Sequence, residues 1–285
     1  KPSSSPSAAP SYKPSSSPSA APSTTPSEKP TASPSASPSD SHSPSTTPSV
    51  SSAPSTPLDR TVGIYMEQLS YGSTGLPGRC DDESQNLVSI VRNLIATDLA
   101  FQNFDVDESI ASFADPAFAS KLAALSFFFM VDMELSPTGW DATSQTILAN
   151  WVSAGNTLLM TGTYGTRDVN FLNDAFGWNL SSVGCSTSSI NAANTAGTKF
   201  AGGTPTLGCP SATDHINCSG VSSCTAMWGT ETDAAVAVFR HGLGTVVYLG
   251  FDYYNTGYAV GGHRDCGARN DPWVTSALRK SLLYQ

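Results

Sequence analysis

A proline at every fourth position is the feature that most constrains how this chain can fold. Prolines stand at positions 2, 6, 10, 14, 18, 22, 26, 30, 34 and 38, and segment 1–12 recurs at 13–24 with one change. Proline has no amide proton and disfavours a helical residue before it, so this period excludes an α-helix and a sheet interior. The pattern predicts a polyproline II conformation, which rises by ~3.1 Å per residue.

The proline-rich composition fills residues 1–57, which we call the stalk. Pro, Ser, Thr and Ala occupy 49 of its 57 positions, and the absence of glycine there excludes collagen. Ser/Thr-rich sequence with regular proline is typical of dense O-glycosylation. The stalk resembles the Ser/Pro repeats of hydroxyproline-rich, mucin-like cell-surface glycoproteins. Two interpretations stay open, a passive linker and a structural rod, and the strict period favours the rod. The expected O-glycosylation sites include Ser3, Ser7, Ser15, Ser19, Thr24 and Thr25.

Charge excludes two classes of partner. The net charge is −9, and because the stalk carries three Lys against Glu28 and Asp40 (+1), residues 58–285 carry −10. An acidic domain is a poor match for nucleic acid or for an anionic membrane surface. No apolar run reaches the roughly 18 residues of a membrane-spanning helix.

Cysteine usage indicates an oxidising compartment. All six cysteines lie in 58–285, their number is even, and no CxxC pair occurs, which favours disulfides over a metal site. The sequons at Asn179 and Asn217 agree with secretion, so we expect an extracellular or cell-surface protein. The chain begins at Lys1, inside the repeat and without Met, so we expect a processed or truncated product. Among the pairings that six cysteines allow, we favour Cys80–Cys266, Cys185–Cys209 and Cys218–Cys224.

Residues 58–285 alternate between strand-like and helix-like segments. Apolar runs predict strands, and 3.6-residue periodicity with capping residues predicts helices. The order predicts an α/β domain, a doubly wound and mostly parallel sheet with helices on both faces. The predicted strands are 60–68, 100–106, 127–133, 157–162, 234–240 and 245–251. The predicted helices are 81–96, 116–125, 141–154, 167–177 and 271–283.

One region departs from this alternation. Residues 184–232 hold four cysteines and are rich in Ser, Thr, Gly and Asn. We expect an irregular excursion from the α/β domain, held in place by disulfides.

Two runs carry a family resemblance: ILANWVSAGNTLLMTGTYG at 147–165 and AVAVFRHGLGTVVYLGFDYYNTG at 235–257. They resemble the class I glutamine amidotransferase-like superfamily, and more narrowly its trehalose-utilisation-like, flavodoxin-like members. The resemblance implies a nucleophilic Cys on a turn after the fourth strand, where this chain has Thr163. It also implies a His-x-Glu after the last strand, where this chain has Asp252 and Tyr253. No Cys lies within twenty residues of Thr163. The resemblance therefore implies the fold and argues against the family's glutaminase chemistry.

Ligands of open α/β sheets bind at the carboxyl ends of the strands. Carboxylates at that edge could bind Ca²⁺, act as an acid–base pair on a glycoside, or simply cap helices and loops. We expect no cofactor and no resident metal. The candidate ligand rim comprises Glu67, Asp132, Glu134, Thr163, Tyr164, Asp252 and Tyr253.

Three functions compete at this point, of which the least favoured is a residual hydrolase with an unrecognised nucleophile. The first is a non-catalytic structural glycoprotein, whose rod and head form part of a fibre, coat or wall with copies of itself or other extracellular glycoproteins. The second is a secreted carbohydrate-binding or carbohydrate-active module on a mucin-like linker.

Overall fold

The computed structural model describes residues 60–67, 69, 80–163, 165–209, 213–267 and 271–284. The stalk, with its predicted polyproline II conformation and O-glycosylation sites, lies outside these ranges. Within them, no helix is both long and apolar enough to cross a membrane.

Eleven strands form in the described part of the chain. They are β1 (Arg60–Ile64), β2 (Phe104–Asp107), β3 (Phe127–Met130), β4 (Thr157–Thr161), β5 (Ser181–Gly184), β6 (Ser188–Ser189), β7 (Thr206–Leu207), β8 (Asp214–Asn217), β9 (Cys224–Thr230), β10 (Asp233–His241) and β11 (Gly244–Leu249).

The helices alternate with the first four strands and close the chain. They are α1 (Glu83–Thr97), a 3₁₀ turn (Leu99–Phe101), α2 (Phe118–Ala123), α3 (Ala142–Ser153), α4 (Arg167–Phe176), α5 (Ala192–Thr195), and a π-helical stretch (Trp273–Leu278) that continues into α6 (Arg279–Leu282).

The main sheet has the order β2-β1-β3-β4-β11-β10-β8-β5, and β9 also pairs with β10. Strands β2, β1, β3, β4 and β11 run parallel, whereas β10, β8, β9 and β5 pair antiparallel. From β1 the chain moves outward to β2, then returns to β3 on the other side of β1. Because crossovers are right-handed, α1 and α3 lie on opposite faces of the sheet. The predicted α/β class is confirmed.

Local sequence explains where the main helices begin and end. The Asp82 side chain accepts a hydrogen bond from the Gln85 amide and caps α1, which decides between Asp81 and Asp82, the two caps that the sequence allows. Asp141 and Ser144 form a capping box at the start of α3. Gly177, at φ 67°, ends α4 in the left-handed conformation that glycine adopts without strain. All four residues of β3 are buried, which fits a central parallel strand covered on both faces.

The structure corrects the prediction in two places. The strand predicted over 100–106 begins only at Phe104, because the Asp98 side chain caps a 3₁₀ turn by accepting from the Ala100 amide at 3.0 Å. Region 184–232 is more regular than expected, since it contains β6–β9 and the end of β5. Its segments form strands because the antiparallel edge at β10 supplies their hydrogen-bond partners, which the local sequence does not reveal.

Candidate functional site

The carboxyl edge of the parallel strands is where a ligand site is expected in this topology. The chain leaves β1 toward β2 and leaves β3 toward β4, in opposite directions, so the crevice between β1 and β3 is a topological switch point. The segments that meet there are the turns after β1, β3, β4 and β11, together with the first turns of α1 and α4.

Several buried carboxyl groups lie at this edge, and we call four of them the acid cluster. Asp132 follows β3, Asp252 follows β11, Glu83 begins α1 and Asp168 lies in the first turn of α4. Their exposed fractions are between 1% and 8%. Buried carboxyls are normally paired with a cation, and no Lys or Arg is among the groups that shift their pKa values.

The consequence is a set of raised pKa values. Burial, reinforced by the charges of Asp132, Asp252 and Glu134, raises the pKa of Glu83 to about 10. Burial also raises the pKa of Asp132 to about 7; Asp252 and Glu134 add to that effect, and the Thr163 hydroxyl opposes it. The pKa of Asp252 is raised as well, mainly by burial. Glu83 is therefore protonated at neutral pH, while Asp132 titrates near it.

Asp168 is the member of the acid cluster that accepts hydrogen bonds from three protein donors. It accepts hydrogen bonds from the Tyr248 hydroxyl at 2.8 Å, the Val169 amide at 2.7 Å and the Thr163 amide at 3.4 Å. Burial nevertheless raises the pKa of Asp168 to about 7, against the lowering effect of these bonds. Asp168 thus fixes the turn after β4 to β11.

Two polar atoms at this edge are buried without a hydrogen-bond partner: Oδ1 of Asp132 and Oγ1 of Thr163. Thr163 is fully buried and stands at the turn between β4 and α4. Its amide, not its hydroxyl, is bonded to Asp168. The Thr163 hydroxyl is close enough to Asp132 to lower the pKa of that carboxyl, but neither atom reaches hydrogen-bond geometry with a protein group. A ligand hydroxyl group could pair with both atoms.

The structure separates the predicted rim residues into three groups. Asp132, Thr163 and Asp252 lie in or beside the acid cluster, and Glu134 contributes charge to it. Glu67 is instead structural, because its carboxylate accepts from the hydroxyls of Tyr65 and Thr138 and from the Thr138 amide. Tyr164 lies outside the described residues.

Tyr253 does not present its ring at the rim, as the sequence analysis expected. It is fully buried, contacts the rings of Phe129 and Phe251 edge-on, and donates to the Trp273 carbonyl at 3.4 Å. Its backbone has φ 61°, which turns the side chain into the core. The apolar sequence of β11 does not reveal that the Tyr253 side chain lies in the core.

Sequence reasoning missed Glu83 and Asp168 as members of the cluster. Acidic residues in the first turn of a helix are ordinarily explained by the helix dipole, and both stand in such a turn. A usable signal existed, because the N-terminus of each helix that follows a parallel strand lies at the carboxyl edge. Burial of these carboxyls, however, depends on the tertiary contacts of the whole edge.

A cavity of about 120 Å³ lies between the segment after β3 and helix α4, and no member of the acid cluster lines it. Met133 and Arg167, which border it, are the chain neighbours of Asp132 and Asp168. Its apolar wall includes the Trp140 and Phe171 rings, stacked 3.9 Å apart. Asn170 and Asp174, one and two turns further along α4 than Arg167, add polar groups. The indole Nε1 of Trp140 is buried without a hydrogen-bond partner.

A metal centre has no support in the described ranges, where no three His, Cys, Asp or Glu residues are arranged to hold an ion. No set of ligands among the described residues therefore supports the interpretation of the rim as a Ca²⁺ site.

The cysteines form three disulfides, which is typical of secreted proteins. The sequon residue Asn179 is exposed, whereas Asn217 is half-buried and its Oδ1 accepts from the Ser219 amide and hydroxyl. Glycosylation at either position stays a prediction. The bonded pairs are Cys80–Cys266, Cys185–Cys209 and Cys218–Cys224, which are the pairs favoured from the sequence.

Comparisons with known proteins find structures of similar fold, at low sequence identity and with TM-scores below 0.5. No protein-family model matches the chain, and no curated protein does. Solved structures that match include a cytoplasmic protein from Salmonella typhimurium, with 11% identity over 79% of this chain and 98% of that chain and a TM-score of 0.48. A protein from Bacteroides uniformis described as ThuA-like matches with 10% identity over 79% and 91%, at a TM-score of 0.49.

A β-galactosidase from Bacillus circulans matches over 79% of this chain but 30% of its own length, with 11% identity and a TM-score of 0.42. The matches thus include the ThuA-like group named by the sequence resemblance. Their identities and TM-scores are too low to carry an argument about function, which rests on this chain's own residues.

Proposed function

We propose that the protein is a non-catalytic extracellular structural glycoprotein, whose glycosylated stalk and α/β head form part of a fibre, a cell-surface coat or a wall. The observation that carries the non-catalytic assignment is Thr163. It stands at the turn where the resembling enzymes place their Cys, and no Cys lies within twenty residues of it. The Asp168 carboxylate, which the Thr163 amide contacts, accepts further hydrogen bonds from the Tyr248 hydroxyl and the Val169 amide.

The extracellular part of the proposal is supported by the three disulfides and the two sequons. The structural part is supported by the four-residue proline period of the stalk, which a merely flexible linker does not require. The partners that fit are other copies of this chain or other extracellular glycoproteins.

Mass spectrometry of the native protein tests the stalk. Intact-mass and glycopeptide analysis should find O-glycans or hydroxyproline in register with the proline period over residues 1–57. An unmodified stalk would contradict the rod and leave a linker, which would place the function in the head.

A second candidate is carbohydrate recognition by the head, and two features favour it: the acid cluster and the cavity between the segment after β3 and helix α4. The cavity combines an apolar wall from Trp140 and Phe171 with polar groups from α4. A sugar ring needs both, for its C–H face and for its hydroxyls. The unpaired Asp132 Oδ1 and Thr163 Oγ1 would each gain a partner from a ligand hydroxyl.

Glycan-array binding of the intact protein tests this candidate. Binding to a neutral or acidic polysaccharide should be lost in Asp132→Asn, which keeps the side-chain shape, and should persist in Asp105→Asn, an exposed carboxylate on β2. Hydrolysis of the bound glycan would make the head carbohydrate-active and contradict the non-catalytic assignment. Binding that is equal in both variants would remove the acid cluster from the site.

A further inference from the structure

The disulfide Cys80–Cys266 has surroundings suited to exchange with an external thiol. Nε of Arg264 donates a hydrogen bond to Sγ of Cys80 at 3.0 Å. A guanidinium stays positively charged across the physiological pH range. A positive charge beside a sulfur stabilises its thiolate, which makes that sulfur the better leaving group in thiol–disulfide exchange.

The two sulfurs differ in access. Cys80 is 6% exposed and precedes the capped start of α1, whereas Cys266 lies in a surface loop and is half-exposed. Access therefore favours attack at Cys266, and the Arg264 contact favours departure of Cys80. Both preferences therefore favour the same exchange reaction, in which Cys266 is attacked and Cys80 leaves.

The surroundings also accommodate the product. A cavity of about 320 Å³ lined by Cys80, Tyr254 and Arg264 gives the departing sulfur room and water. The backbone around Cys80 is held independently of the disulfide, because its carbonyl accepts from the Asn255 amide at 2.8 Å and from Nδ2 of Asn86 at 2.9 Å. Neither bond involves the sulfur of Cys80.

We propose that Cys266 is a reversible S-thiolation site for small thiols, activated by Arg264. A thiolate R–S⁻ attacks Sγ of Cys266, the Cys266–Cys80 bond breaks, and its electron pair goes to Cys80, which leaves as a thiolate beside Arg264. The incoming sulfur is oxidised to the mixed disulfide and Cys80 is reduced. In the reverse step, the Cys80 thiolate attacks Cys266 and expels R–S⁻, so the modification needs no other reactant.

The experiment uses the intact, folded protein with glutathione as the probe. After acid quenching and alkylation of free thiols, peptide mapping should find glutathione on Cys266 and the alkyl group on Cys80. The Cys185–Cys209 disulfide, whose Cys209 is exposed, reports general accessibility in the same molecule. We expect Arg264→Gln to slow opening of Cys80–Cys266 about tenfold relative to Cys185–Cys209.

Two variants and a second thiol make the result decisive. Arg264→Lys keeps the charge and should retain most of the rate. Lys199→Gln removes an exposed charge elsewhere and should leave the rate ratio unchanged. Uncharged 2-mercaptoethanol should show the same dependence on Arg264, which separates leaving-group activation from attraction of anionic glutathione. Glutathione found on Cys80, or a rate ratio equal in Arg264→Gln and the wild type, would overturn the proposal.

Discussion

The parallel and antiparallel halves of the sheet treat their buried polar groups differently. In the antiparallel half, Nδ1 of the fully buried His215 is 2.6 Å from Oδ1 of Asp233, and the Asp214 carboxylate accepts from the Ser182 hydroxyl at 2.5 Å. In the parallel half, the acid cluster has neighbouring carboxyls instead of cations.

This difference indicates that the antiparallel half contributes stabilising contacts, whereas the acid cluster of the parallel half lowers stability. Paired polar groups and two of the three disulfides hold the antiparallel half together. Buried carboxyls without a neighbouring cation cost stability at neutral pH, a cost that the carbohydrate recognition proposed for the head would account for. Three predictions can break or sharpen this comparison.

The largest effect is expected from removing the Cys185–Cys209 disulfide by a double Cys→Ser substitution. The bond closes a sequence separation of 24, so its loss should lower the free energy of unfolding by about 3 kcal/mol. Denaturant unfolding measures this, and hydrogen exchange should localise the lost protection to β5–β8. The Cys218–Cys224 bond, at a separation of 6, is the matched control with a smaller expected loss. A larger loss from the shorter loop would contradict the prediction.

The second prediction concerns the pH dependence of the parallel half. The pKa of Asp132 rises from 3.8 to about 7 on folding, so between these values the native state binds more protons than the unfolded state. Stability from this group is complete below pH 4 and is lost as the pH rises through about 7. Three pKa units correspond to about 4 kcal/mol, and relaxation and water entry around a buried charge reduce this figure. Asp132→Asn should therefore be about 2 kcal/mol more stable than the wild type at pH 8, with the difference vanishing toward pH 4.

Thermal melts of both proteins from pH 4 to 8 measure this difference, with Asp105→Asn as the control. If Asp132→Asn is more stable at pH 8 but no longer binds glycan, the Asp132 carboxyl lowers the stability of the fold and is required for glycan binding. Equal melting temperatures at pH 8 would mean that Asp132 is solvated by groups that the geometry does not indicate.

The smallest effect is expected in the antiparallel half, from Asp233→Ala. This change leaves the buried Nδ1 of His215 without its partner and should cost about 1.5 kcal/mol. Urea unfolding of this variant beside Asp105→Ala measures the cost. Because Nε2 of His215 is already unpaired, a double variant with His215→Phe should recover part of the loss. Identical unfolding of Asp233→Ala and wild type would show that the pair does not stabilise this half.

Much of the fold was predictable from local sequence. The apolar run FFFM predicted the buried strand β3, and apolar periodicity predicted α1 and α3 to within two residues of where they begin. These signals are local, since burial on both faces and apolar periodicity each depend on a few neighbouring residues. The strands of 184–232 were not predictable, because their pairing with the β10 edge joins segments distant in sequence.

The candidate site divides along the same line. Sequence alone placed Asp132, Asp252 and Thr163 at the carboxyl edge, because in a parallel sheet the residue after each strand lies at that edge. It also determined the proline period of the stalk, the acidic charge and the absence of a Cys near Thr163. Only the tertiary structure decided that Glu83 and Asp168 complete the cluster, that Tyr253 turns into the core, and that Arg264 reaches Cys80. Burial and electrostatic coupling are sums over groups from many segments, so no stretch of sequence contains them.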